Sequence, residues 1–186
     1  MGPTDKEAAM SASHGEKSQL ASVDAEAPPR GGVATSEEAL RDLRRQHLAR
    51  GRSAIDRARA LCRFAGIGEQ DARPVPTDPA SKAATAVRLS AQALARVAEA
   101  PLDPAADARC ARNAAAAAAV VATAAQAHAG AGELPDAAHA AAVRASLASG
   151  QAAGQAGLGR DEALNRTADE AEAAAVAAAK AAGWWV

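Results

Sequence analysis

Alanine supplies sixty of the 186 residues, while leucine, isoleucine, valine and phenylalanine together supply only 25. That ratio narrows what the chain can fold into. Alanine is the best helix former and loses no side-chain entropy on folding. It also brings little apolar area, and burial stabilises by about 25 cal/mol per Å². Such helices gain most when their backbones come close and small side chains interlock. The expectation is an all-α fold: a four- or five-helix antiparallel bundle with alanine-rich close packing, a thin core and a disordered N-terminal tail. The large aliphatics fall below the ~20% usually associated with disorder, but that class also needs a high net charge, and the formal charge here is −1.

Residues 1–34 mix serine, glycine, proline and scattered charges with no apolar period, so they are expected to form the tail, leaving residues 35–186 as one helical domain. Thr35 followed by Glu38 has the capping-box spacing, with Ser36 as the alternative cap. Leu40, Leu43, His47, Ala54, Ile55, Ala58, Leu61, Cys62 and Ala65 then recur at helical spacing, which predicts a first helix ending near Ala65-Gly66. Asp78-Pro79-Ala80 and Asp103-Pro104-Ala105 each pair a carboxylate N-cap with proline at the first helical position, as a duplicated helical unit would. The second helix is expected to end at Ala100 and the third near Ala129. A fourth should open at Pro135 and end before Gly150, ahead of a glycine-rich loop over 150–159. The last should run from about Arg160 to Ala182, with Gly183 as its stop.

Several chemistries find little in the sequence. No apolar leader follows Met1, and position 6 is Lys6, which breaks the myristoylation pattern after Gly2. The uncharged stretch from Asn113 to Gly132 is long enough to span a bilayer, but it is mostly alanine where a span would use larger aliphatics. Asp136 and His139 share a helical face, yet a metal site in a helix bundle needs further inward carboxylates, and no Glu-x-x-His occurs. No metal and no cofactor are expected. Cys62 and Cys110 match no metal or redox spacing and read as reduced thiols of a cytoplasmic protein.

The one strong charge asymmetry lies between Arg41 and Arg63, where eight arginines face two acids, Asp42 and Asp56. Arg41, Arg44, Arg45, Arg50, Arg52, Arg57 and Arg59 are expected to wrap the side of the first helix opposite its leucine stripe. Guanidinium forks suit carboxylates and phosphates, so an acidic protein surface is the expected partner, with nucleic acid as the alternative. No aromatic residue is interleaved to stack on bases. A solvated face partly neutralised by Glu162, Asp169, Glu170 and Glu172 of the last helix accounts for the same residues. Trp184 and Trp185, just before Val186, either fold back over the end of the bundle or form a displayed apolar anchor for a partner.

Arg41 and His47 stand in an Arg-x5-His spacing that resembles the Arg-x4-6-His element of HEPN-type RNases. The resemblance covers one helix and implies His47 as general acid or base, with Arg41 stabilising phosphorane charge. Thr167 to Gly183, TADEAEAAAVAAAKAAG, is similar in texture to late-embryogenesis-abundant proteins, a protective class that avoids Trp and Cys. The leading expectation is a non-enzymatic interaction protein without a membrane segment, compatible with a homo-oligomer. It would work through the arginine-rich first helix, the residues Trp184, Trp185 and Val186, or both.

Overall fold

The computed structural model describes residues 31–154 and 158–185, with side chains from Ser36 onward. The expected tail up to residue 30, and Val186, lie outside the described residues. Five α-helices carry the rest: α1 (Gly31–Phe64), α2 (Pro79–Glu99), α3 (Pro104–Ala129), α4 (Glu133–Ala153) and α5 (Glu162–Ala181). A 3₁₀ turn at Glu69–Asp71 follows α1, and no strand occurs among the described residues.

The helix starts follow from short polar caps. Asp78 Oδ1 accepts from Ser81 N at 2.9 Å, and Ser81 Oγ lies 3.3 Å from Asp78 N, a reciprocal cap ahead of α2. The Ser81 N–H bond, with a second from Ser81 Oγ to Asp78 Oδ2 at 2.8 Å, holds the Asp78 carboxyl below its usual range. Asp103 Oδ1 accepts from Ala105 N and Ala106 N at the start of α3, and Asp161 Oδ1 from Leu164 N at the start of α5. The sequence missed three helix boundaries and one short turn. Helix α1 already includes Gly31–Ala34, so the Thr35–Glu38 capping-box spacing falls inside it. The 3₁₀ turn has no periodic signal. Helix α4 opens at Glu133 and passes through Gly150 to Ala153.

The extension of α4 has a packing cause. Ala148 and Ala152 are buried against Ala168 of α5, and that contact outweighs the roughly 0.5–1 kcal/mol a mid-helix glycine costs. A Cβ at Gly150 would meet no atom within 4 Å. Gly150→Ala is therefore expected to stabilise the protein by about 0.4–1 kcal/mol in urea denaturation. A loss of stability would mean that the α4 terminus is not helical in solution.

Cross-helix contacts give the direction of each pair. Cys110 Sγ of α3 faces Ala93 O of α2, and Ser90 Oγ faces Asn113 O, so these helices run in opposite senses. Gln126–Asp136 and Thr123–His139 contacts likewise oppose α3 and α4. Ala141 and Ala145 pack on Ala175, while Ala148 and Ala152 pack on Ala168, which opposes α4 and α5. Helix α1 opposes α2, with Leu48 beside Leu94 and Val97 and Cys62 across a hollow from Ala84 and Val87, but runs parallel to α3 and α5: Arg44 meets Asp107 and Phe64 meets His128, while Arg50 meets Asn165 and Arg57 meets Glu172.

Helix α3 touches α1, α2 and α4, and its buried face is almost all alanine, with Ala111, Ala114, Ala115, Ala118, Ala122 and Ala125 fully covered around Val121. Gly51 serves the same close approach on α1. A Cβ there would lie 2.7 Å from Leu94 Cδ1 and 3.4 Å from Ala111 Cα.

Candidate functional site

From Arg45 onward, contact with α2, α3 and α5 leaves α1 only a narrow exposed strip, at Arg45, Ala49, Arg52, Asp56, Arg59 and Arg63. This corrects the expected arginine face. Arg50 and Arg57 lie on the apolar stripe, seven residues apart, and are 4% and 0% exposed. Their direction is set by acids on α5. Arg57 donates from Nε (3.1 Å) and Nη2 (2.7 Å) to the two oxygens of Glu172, which also accepts from Ser53 Oγ. Arg50 Nη1 donates to Asp169 at 2.7 Å and to Asn165 O at 3.0 Å, and Nη2 to Asn165 Oδ1. Arg44 turns to α3 and grips Asp107 with Nε and Nη2, while its Nη groups also donate to Ala100 O and Pro101 O at the α2–α3 connection. Asp169 and Glu172 thus neutralise arginines as one sequence reading required. Glu170 is exposed, and Glu162 contacts Arg166 of its own helix.

His47 is built into the same buried polar ladder. Its Nε2 lies 2.9 Å from Gly159 O and its Nδ1 2.8 Å from Arg50 Nη2, so the neutral Nε2–H form donates to the carbonyl and accepts from the arginine. Asn165 Nδ2 donates to the same carbonyl. Position 159 must be glycine: its φ is +73°, and a Cβ would sit 2.3 Å from Pro104 O. Arg41, the other half of the Arg-x5-His spacing, points away into solvent and pairs with Glu37. The fold does not bring Arg41 and His47 to one reacting atom.

Burial lowers the pKa of His47, and Arg50 adds to that, while the Gly159 bond and the Asp107 and Asp169 charges oppose it. The folded chain therefore binds fewer protons than the unfolded one below the ordinary value of 6.5. The stability due to neutral His47 is complete above that value and declines as pH falls through it. Melting temperature is expected to drop from about pH 7.5 to about pH 5.5. The drop should be smaller in His47→Gln, which can still donate and accept; equal slopes would remove His47 as the cause.

The C-terminal tryptophans separate. Gly183 N donates to Lys180 O and Trp184 N to Ala179 O, with Gly183 at φ +73°, the paired bonds that close a helix and turn the chain back. Trp184 is 0% exposed and stacks on Phe64 at 5.9 Å, and Phe64 meets His128 edge-on at 5.3 Å. Trp184 thus seals the ends of α1 and α3 and is not displayed. Trp185 is 36% exposed, with Lys180 Nζ 5.1 Å from its ring centre.

Three hollows run along α1 on the surface. The first is lined by Arg41, Arg44, Arg45, Leu48 and Arg52. The second shares Arg52 and adds Ile55, Asp56, Arg59 and Leu94. The third shares Arg59 and reaches the 3₁₀ turn. Arg45 pairs with Asp42 and Arg59 with Asp56 at 3.7 Å, both exposed contacts within one turn of helix, and Arg52 has no ion-pair partner among the described residues. Helical spacing does separate Arg50 and Arg57, beside the apolar stripe, from Arg45, Arg52 and Arg59 opposite it; the acids of α5 that meet the first pair lie too far along the chain for that spacing to show.

Cys62 and Cys110 are free, and among the described residues no group of histidine, cysteine and carboxylate side chains could hold a metal. Among the same residues no helix is long and apolar enough to cross a membrane. No family model, curated protein or solved structure matches the chain.

Proposed function

We propose that the protein acts by binding, and that the exposed arginine strip of α1 receives an acidic segment of a protein partner. The observation that carries this reading is the alignment of Arg45, Arg52 and Arg59 at seven-residue spacing on the exposed side of α1, above Leu48, Ile55 and Leu94. Two helical turns separate successive guanidinium groups, so an extended or helical acidic segment lying along the groove reaches all three. Arg50 and Arg57 hold the fold and stand outside this surface, while Arg44, tied to Asp107, lines the first hollow as part of the scaffold. Trp185 is a second, smaller contact point.

This reading includes a five-helix up-and-down bundle with close alanine seams as the scaffold, and a cytoplasmic setting for its free thiols. His47, with both nitrogens engaged in the interior, favours binding over an RNase-like reaction with Arg41. Buried, geometrically matched ion pairs favour a uniquely packed scaffold over a protective chain that is coil in dilute buffer.

Fluorescence anisotropy with labelled poly-L-glutamate tests the proposal. Affinity is expected to fall steeply with salt and to drop at least tenfold in Arg45→Gln/Arg52→Gln/Arg59→Gln, with an unchanged melting temperature. Unaltered binding by the triple variant would overturn it. Tighter, equally salt-sensitive binding of a 20-base-pair duplex would move the assignment to nucleic acid.

A further inference from the structure

The third hollow differs from the other two in having a deep apolar floor. It encloses about 440 Å³ between the end of α1, the middle of α2 and the 3₁₀ turn, within the range of small-molecule sites. Its floor is Cys62, Ile67, Ala84 and Val87, all buried. Arg59, Arg63 and Arg88 stand around it against a single acid, Glu69. Arg88 is exposed and has no ion-pair partner among the described residues.

The wall formed by the turn is preformed. Ile67 N donates to Cys62 O at 2.8 Å, and Gly68 N donates to Asp71 Oδ2 at 2.8 Å. Thr85 Oγ1 of α2 accepts from Arg73 N at 2.9 Å and donates to Arg73 O at 3.0 Å, latching the following segment to the helix. An apolar recess with fixed walls and cationic edges is poorly matched to water alone and poorly matched to a neutral or cationic guest.

We propose that this hollow binds a small organic anion with an apolar body, a free medium-chain carboxylate being the simplest member of the class. The hydrocarbon covers Cys62, Ile67, Ala84 and Val87, and the carboxylate accepts charge-assisted hydrogen bonds from Arg88 and Arg59. Arg59 is available because its contact with Asp56 is long and solvent-exposed. A second carboxylate at the far end of the ligand would be carried onto the apolar floor, so a monoanion is preferred over a dianion of equal length. The inference does not rest on acidic-segment binding: the two sites share Arg59, but Arg45 and Arg52 lie at the other end of the groove and Arg88 belongs to this hollow alone.

Isothermal titration of the full chain with sodium octanoate tests it, alongside octanol, acetate and suberate. Octanoate is expected to bind one per chain with a dissociation constant on the order of 0.1–1 mM, and the other three about tenfold or more weaker. Arg88→Gln, a surface change that leaves the melting temperature in place, should weaken octanoate about tenfold, and Val87→Phe should abolish it by filling the recess. Arg45→Gln/Arg52→Gln should leave octanoate binding intact while reducing poly-L-glutamate binding, so the two proposals fail separately. Absence of saturable octanoate binding up to about 10 mM, or equal affinity in wild type and Arg88→Gln, would overturn the site.

Discussion

Glu172→Leu is expected to cost about 3–5 kcal/mol, because it leaves the fully buried Arg57 guanidinium without its counter-charge. A domain of this kind has about 5–15 kcal/mol of stability in total, so the variant stands near the edge of unfolding. At roughly 2–4 °C per kcal/mol the melting temperature falls by on the order of 10 °C. Arg57→Met alone should be comparably harmful, since it strands the Glu172 carboxylate, which is 3% exposed. The double variant Arg57→Met/Glu172→Leu should recover most of the loss, because two apolar side chains of similar volume need no partner. Arg59→Ala, which removes only the exposed contact with Asp56, should change stability by less than about 1 kcal/mol. Urea denaturation with a common m-value measures all four. A Glu172→Leu cost below about 1 kcal/mol, or a double variant no better than the singles, would show that the pair is not buried as described.

Trp184→Ala is expected to cost about 3–5 kcal/mol by opening a cavity between Phe64 and the end of α3. Few other side chains of that size are buried, so the neighbouring alanines have little with which to fill the gap. Trp184→Phe should be much milder. The indole Nε1 has no hydrogen-bond partner among the described residues, so the change removes a buried unsatisfied donor while keeping an aromatic ring beside Phe64. Trp185→Ala should lose no more than about 0.5–1 kcal/mol, the scale of an exposed cation–π contact. With Trp185 replaced by phenylalanine, the remaining Trp184 emission should be blue-shifted, resistant to acrylamide, and should shift red together with the loss of helix on heating. Red, quenchable emission that ignores the melt would place Trp184 at the surface and restore it as a displayed anchor.

Much of the local structure was legible because it depends on a few adjacent residues. Asp78 and Asp103 before proline mark the starts of α2 and α3, and Gly183 marks the end of α5, since each supplies a local backbone or capping requirement. Gly150 misled for the complementary reason. Its intrinsic cost is about 0.5–1 kcal/mol, and the burial of Ala148, Ala152 and Ala153 overrides a preference of that size. The candidate site was half legible: the arginine cluster stands out in composition, and His47 on the apolar stripe indicates a polar interior. The hollow beside Cys62 leaves no signal, because a 3₁₀ turn and a helix packed across it make the recess from residues that are ordinary in sequence.

By itself the sequence determined that the chain is helical and where most of its helices begin and end, because alanine propensity and capping act over a few residues. Only the tertiary structure decided which arginines belong to the fold and which to the surface. Helical spacing puts Arg50 and Arg57 on one side of α1 and Arg45 and Arg52 on the other, but only the packing of α5 against the first pair buries it and supplies its acids. A guanidinium is stable in the interior only if carboxylates more than 100 residues away meet it there. That condition concerns two helices at once, and no window along one of them contains it.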